Sequence, residues 1–285
     1  MGDLPALDGF VAGELDQTPS EAARILSDEI LRRHGDAVAA VVFYGSCLRG
    51  QTREGVLDFY ALVDSYRAAY GSRLLAGLNA LLPPNVFFVE LESPIGTLRS
   101  KVAVISSGDF LRATSPDARR ASIWARFCQP AVLVYARDAE ARATVVAAAS
   151  GSITTALLQG IALLQGEGET RFDWEALWQN TLAETYAAEM RPESPETIRS
   201  VYAAAPARFE SAARARLDAL AARGALRWRA HGDGAVVEIP AARRRQLARS
   251  WRRRRPLRKA LHLLGLLKSA ATFGDWLPYV LWKLE

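Results

Sequence analysis

Cysteine and histidine are scarce in this chain, and their scarcity removes several chemistries at once. Two cysteines, Cys47 and Cys128, are too few for a disulfide framework or a cysteine-based zinc site. Three histidines, His34, His231 and His262, stand in no recognisable partner motif, so Cys47 beside Ser46 is not read as an activated nucleophile. A reduced, cytosolic compartment suits such cysteine usage. The basic start and long apolar core of a signal peptide are missing, since the opening MGDLPALDGFVAGELDQ is acidic. The chain is also read as lacking a charge-free apolar run of about 18 residues, which predicts a soluble or peripheral protein without a membrane-spanning helix. No internal repeat is present.

What remains is ordinary in amount and uneven in distribution. The 285 residues suit one large domain or two ordinary ones, and a composition 50% hydrophobic and 24% charged supplies ample core. The net charge of +5 hides an asymmetry, because much of the positive charge lies in RRRQLARSWRRRRPLRK, from Arg243 to Lys259. So dense a basic block attracts either nucleic acid or an anionic membrane surface. Trp251 is the sole aromatic residue among the arginines, which leaves no base-stacking platform, and no nucleic-acid partner is expected.

Hydrophobic periodicity divides the chain. Thr18-Pro19-Ser20-Glu21 reads as a helix start with Thr18 as cap, and Gly35 as its stop. Strands are predicted at 38–44, 56–63, 86–92, 98–105 and 131–135, with Ser93-Pro94-Ile95-Gly96 as a turn. Helical patterns cover 65–82 and 107–127. This alternation predicts an α/β domain with a mixed sheet over residues 1–138. From Ala139 onward the pattern is mainly helical, over about 139–165, 173–190, 195–204 and 207–223, with a hairpin around His231-Gly232-Asp233-Gly234. That helical domain is bounded at 139–256, and residues 257–285 form a tail.

Val41 to Asp64 carries the chemistry. An apolar strand ends in Tyr44-Gly45-Ser46, and the next strand carries Asp58 and closes on Asp64. The backbone of a glycine-serine turn can approach nucleotide phosphates, and a carboxylate on the following strand can hold Mg²⁺. At about 3.3 Å per residue Asp58 and Asp64 lie roughly 20 Å apart, too far to share an ion. Tyr60 occupies the place where a second acid, one residue removed from the first, completes the polymerase-β-type pattern. Glu90 and Glu92 share a face of the 86–92 strand, a neighbouring strand could bring one of them beside Asp58, and Glu90 is the candidate for a second metal ligand. Arg49, Lys101 and Arg126 are the cations proposed for a triphosphate.

These motifs resemble the mitochondrial-type phosphatidate cytidylyltransferases of the polymerase-β-like nucleotidyltransferase superfamily. The likeness rests on YGS at 44–46 and LDFYALVD at 57–64, where a single Asp-Phe pair leads to Val-Asp. Cys47 departs from the small residue usual in that turn. RSKVAVI at 99–105 is similar to the family's lysine-containing strand, and ARFCQPAV at 125–132 to its Arg-containing segment before a proline. The resemblance implies an α/β nucleotidyltransferase domain followed by a helical domain. It also implies the transfer of CMP from CTP to phosphatidic acid, with Mg²⁺, at the inner face of a membrane. Asp58 then holds the metal, Tyr44, Gly45, Ser46, Arg49 and Arg126 bind the nucleotide, and Lys101 meets the developing charge. Asp64 anchors the strand end.

The tail points to a membrane independently. Leu257, Leu261, Leu264 and Leu267 recur at helical spacing, Leu263, Leu266 and Phe273 widen the face, and Trp276, Tyr279 and Trp282 follow. Basic residues and interfacial aromatics beside an apolar face predict an amphipathic helix in the headgroup region. Transfer to another acceptor and a catalytically silent nucleotide- or membrane-binding module are the alternatives.

Overall fold

A computed structural model describes residues 5–50, 55–164, 169–188 and 194–272. The sequence reading assigns no element to the acidic start, yet α1 (Pro5–Leu15) forms there, with Leu7, Val11 and Leu15 buried at four-residue spacing. α2 (Glu21–His34) begins after Ser20, not Thr18. Ser20 has extended backbone angles and its hydroxyl accepts from the Ala23 N–H at 3.2 Å, which is the geometry of a cap.

β1 (Val38–Tyr44), α3 (Ser46–Gly50) and β2 (Val56–Val63) follow as the apolar runs predict. The single helix expected over 65–82 is two, α4 (Tyr66–Ala69) and α5 (Arg73–Leu81), because Ser72 caps a fresh start by accepting from the Leu75 N–H. β3 (Asn85–Ser93) and β4 (Gly96–Ser106) form the expected hairpin. The run over 107–127 likewise divides, into α6 (Ser107–Thr114) and α7 (Ser122–Phe127), before β5 (Ala131–Ala136).

Then come α8 (Ala139–Leu163), β6 (Glu169–Asp173), α9 (Trp174–Ala188), α10 (Pro195–Ala203) and α11 (Pro206–Ala222). The strands β7 (Arg227–His231) and β8 (Gly234–Glu238) make the expected hairpin, and α12 (Ala241–Thr272) closes the described chain. β6 is short, with Thr170 and Phe172 turned inward, and the sequence reading passes over it. It is recruited as a third strand beside β8.

Contacts gather these elements into two compact units, each drawn from three stretches of chain. One contains Gly13–Arg112, Pro130–Ala147 and the chain from Leu261 on; the other contains the chain up to Ala12, Ala113–Gln129 and Ala148–Ala260. Sequence order draws its boundaries at 138/139 and 256/257, and spatial compactness divides the chain differently.

The first unit holds a five-stranded mixed sheet in the order β3-β4-β2-β1-β5, parallel between β2 and β4 and antiparallel elsewhere. Alternation gives the sheet two faces. On one, Phe43, Phe59, Val102 and Val104 pack with Ala22, Leu26 and Ile30 of α2 into a buried core. The other bears Tyr44, Asp58, Tyr60 and Lys101, so the chemistry and the core lie on opposite sides of the same strands.

The second unit is mainly helical. Trp124, Trp174, Trp178 and Phe209 are fully buried, with the Trp178 and Phe209 ring centroids 5.0 Å apart. Of the described helices only α8 is long and apolar enough to cross a membrane, against the expectation that no such run exists. Yet 78% of its most apolar stretch is buried inside the protein. Ser152 and Thr154 of α8 turn their hydroxyls back onto Ala148 O and Ser150 O, which satisfies them inside the protein.

α12 starts well before the expected tail and runs unbroken through Pro256. Its basic run is not uniformly solvated. Trp251 is buried, and the Arg258 guanidinium stacks 3.9 Å from its ring centroid. Arg244 donates to Leu164 O, and Arg254 donates to Pro116 O and to the Asp117 carboxylate. Arg252, Arg253, Arg255 and Lys259 remain exposed. Phe273, Trp276, Tyr279 and Trp282 lie outside the described residues.

Candidate active site

Three strands and one turn build the site. β1 ends at Tyr44, the chain turns at Gly45, and Ser46 opens the short α3. Gly45 has φ +98°, a conformation that side-chain-bearing residues rarely adopt. A Cβ there would stand 2.8 Å from Oδ2 of Asp58, so the Asp58 carboxylate occupies the space that the missing side chain leaves. Sequence reading gives that freedom to an approaching phosphate. The tertiary structure uses it to seat the carboxylate against the turn.

Register aligns the remaining groups. Asp58 lies opposite Tyr44 on one side and Lys101 on the other, and Lys101 lies opposite Phe88. Laterally paired residues share a face with backbones about 4.8 Å apart. Tyr44, Asp58, Lys101 and Phe88 therefore form one row across four strands, and Asp58 and Lys101 are only partly buried within it. A carboxylate, a cation and a glycine turn thus share one face of the sheet.

Tyr60, in the second acidic place, is 2% exposed and packs its ring 5.4 Å from that of Tyr44 and 5.8 Å from Phe110. A carboxylate there would be desolvated among aromatic rings.

Glu90 does not reach Asp58. β4 lies between β3 and β2, and the register puts Glu90 roughly 12 Å from Asp58 between backbones. Its carboxylate instead accepts from Arg99 at 2.6 Å. Among the described residues no group of three or more His, Cys, Asp or Glu side chains is arranged to hold a metal ion. Arg99 itself escaped the sequence reading, although it shares strand parity and face with Lys101.

Cys47 is buried, and its thiol donates to Val56 O at 3.5 Å. Burial, reinforced by the nearby Asp58 charge, pushes its pKa up, which keeps it a protonated structural thiol. Asp64 sits at the far end of β2 in a two-pronged ion pair with Arg137, at 2.7 and 3.0 Å, and its N–H donates to Ala37 O. It ties the strand end to the segment after β5. Arg49 lies on α3, next to the turn. Arg126 belongs to the other compact unit, where its guanidinium donates to Ser122 O of its own helix at 2.6 Å.

Compared with models of protein families, the chain matches none, and no curated protein gives a match.

Proposed function

We propose that this chain is a nucleotidyltransferase that moves CMP from CTP to phosphatidic acid at a membrane surface, releasing pyrophosphate. The observation that carries this reading is the Asp58 carboxylate seated against Gly45, with Lys101 in the same cross-strand row. The choice of CTP and of a lipid acceptor rests on the resemblance of YGS, LDFYALVD and RSKVAVI to the mitochondrial-type cytidylyltransferases.

The donor set suits Mg²⁺, which binds through one or two carboxylates and completes its shell with substrate phosphates and water. Asp58 is the carboxylate that would hold it, and the ion supplies charge neutralisation on the nucleotide phosphates. Gly45 and Ser46 present backbone to the phosphates, with Arg49 beside them. An oxygen of the phosphatidic acid phosphate bonds to the α-phosphorus of CTP. The bond from that phosphorus to the bridging oxygen breaks, and pyrophosphate leaves with the electron pair. Lys101 meets the negative charge that builds on the transferring group.

A phosphate-monoester nucleophile favours this acceptor over an alcohol. Its second pKa is near 6, so it arrives already anionic and needs no general base. No histidine stands in β1, α3, β2 or β4, so these elements offer no imidazole base. Five exposed leucines on α12, Leu257, Leu263, Leu264, Leu266 and Leu267, support membrane contact.

The test is incubation with labelled CTP, Mg²⁺ and phosphatidic acid presented in detergent micelles, with chromatography of the lipid product. CDP-diacylglycerol should form, and Asp58→Ala should lower its rate at least about a hundredfold. Product from a soluble alcohol or RNA alone would move the acceptor elsewhere. No turnover of any nucleoside triphosphate would leave a silent binding module.

A further inference from the structure

Within the unit that holds the five-stranded sheet, α5 turns its apolar side outward. Its exposed residues are Arg73, Leu74, Gly77, Ala80 and Leu81. Leu74 is 71% exposed and Leu81 83%, and at seven residues apart they stand on one side of the helix. This orientation is fixed by polar contacts. Buried Asn79 donates to the Tyr70 hydroxyl and to Val104 O, both at 2.9 Å, and buried Asn85 donates to Leu75 O. Rotating α5 to hide its leucines would break those bonds inside the protein, where a lost partner is costly.

The end of α12 joins this surface. Lys268 donates to Leu82 O and, at 2.6 Å, to Pro84 O, just past the C-terminal end of α5. Leu264 stands one turn before Lys268 on the same side of α12, and its neighbour Leu267 is 70% exposed. This contact sets the exposed end of α12, with Leu264 and Leu267, beside the C-terminal end of α5, where Leu81 is exposed.

The stretches of chain that carry them hold charge of a single sign. From Ser65 to Val89 the chain holds no carboxylate, while Arg67 and Arg73 are exposed, and α12 holds none from Ala241 to Thr272. Exposed leucines on stretches that carry cations and no carboxylate match anionic headgroups above an acyl layer. They do not match a second copy of the chain, whose like charges would face them.

We propose that α5 and the end of α12 form a composite bilayer-docking face, in which Leu74 and Leu81 enter the headgroup region of an anionic membrane. This extends the membrane-surface reading given above from the tail to a helix of the sheet unit.

The test uses full-length protein and sedimentation with vesicles of neutral phosphatidylcholine, with or without anionic phosphatidylglycerol, in the absence of CTP. Wild type should partition onto the anionic vesicles, and L74S/L81S should partition at least about tenfold more weakly. A second measurement covers a destabilised variant: an environment-sensitive fluorophore on Ala80→Cys should shift to the blue on anionic vesicles, with Cys47 and Cys128 buried and unlabelled. Unchanged partition of L74S/L81S, equal binding to neutral vesicles, or no spectral shift overturns the proposal. So does a wild-type dimer that L74S/L81S abolishes, or an acidic protein that displaces no vesicles yet needs both leucines. Transfer to phosphatidic acid in micelles is read separately. Vesicle binding through α5 without CTP turnover rejects the transferase and keeps this face, and turnover with leucine-independent partition does the reverse.

Discussion

Gly45 and Asp58 function as a pair. The turn needs a positive φ, and the carboxylate needs the volume that a side chain at position 45 would fill. Gly45→Ala should therefore do two kinds of harm. Backbone strain of about 1–3 kcal/mol should lower the melting temperature, and displacement of Asp58 should slow CMP transfer on the order of a hundredfold. Calorimetry and the transfer assay separate the two effects. Glu29 shows the same economy in a structural role. Its nearly buried carboxylate accepts from Arg32 at 2.7 and 2.8 Å and from Arg33 at 2.6 Å. The Arg32 hydrogen bond, with Arg33, outweighs burial and holds its pKa down from 4.5 to about 2. A depressed carboxylate contributes stability above its unfolded pKa and loses it as pH falls through the folded one. Glu29→Gln should thus melt below wild type at neutral pH, and the gap should close between pH 4.5 and about 2. Thermal melts across that range check it, and a gap independent of pH would refute the ion-pair account.

Helix contact decides more than helix propensity. α8 passes α9 so closely at Gly160 that a Cβ there would stand 2.1 Å from Oγ1 of Thr181 and 3.0 Å from Leu177. The Thr181 hydroxyl donates to Leu177 O and has little freedom to yield. Gly160→Ala gains about 1 kcal/mol of helix propensity but meets an overpacking cost of roughly 1–3 kcal/mol. Net destabilisation is expected by chemical denaturation, and Gly160→Ala/Thr181→Ala should cost less than the two single changes added together. α12 makes a related point. Its composition reads as one basic block, yet its periodicity turns Trp251 and Arg258 inward while Arg252, Arg253 and Arg255 stay exposed. A run of arginines announces its charge in sequence. Which of them serve the core depends on what the helix packs against.

At the scale of the molecule, local chemistry was legible and lateral order was not. Residue types alone located β1 to β5, the Gly45-Ser46 turn and the Ser93–Gly96 turn, because period, turn residues and strand length are properties of a few neighbouring positions. The breaks after Ala69 and Thr114 carry local signals, Gly71-Ser72 and Ser115-Pro116, that a reading by apolar periodicity alone passes over. β6 was missed because its strand character comes from β8 beside it. Only tertiary structure decided that β4 inserts between β2 and β3. That one pairing separates Glu90 from Asp58, brings Lys101 beside it, and gives Glu90 to Arg99. Only tertiary structure showed that the space over Gly45 belongs to Asp58, and that α5 exposes its leucines because Asn79 faces the sheet. The sequence by itself determined which groups are present and on which side of a strand each one points. Their neighbours across the sheet depend on pairings between residues far apart in the chain, and no local pattern encodes those.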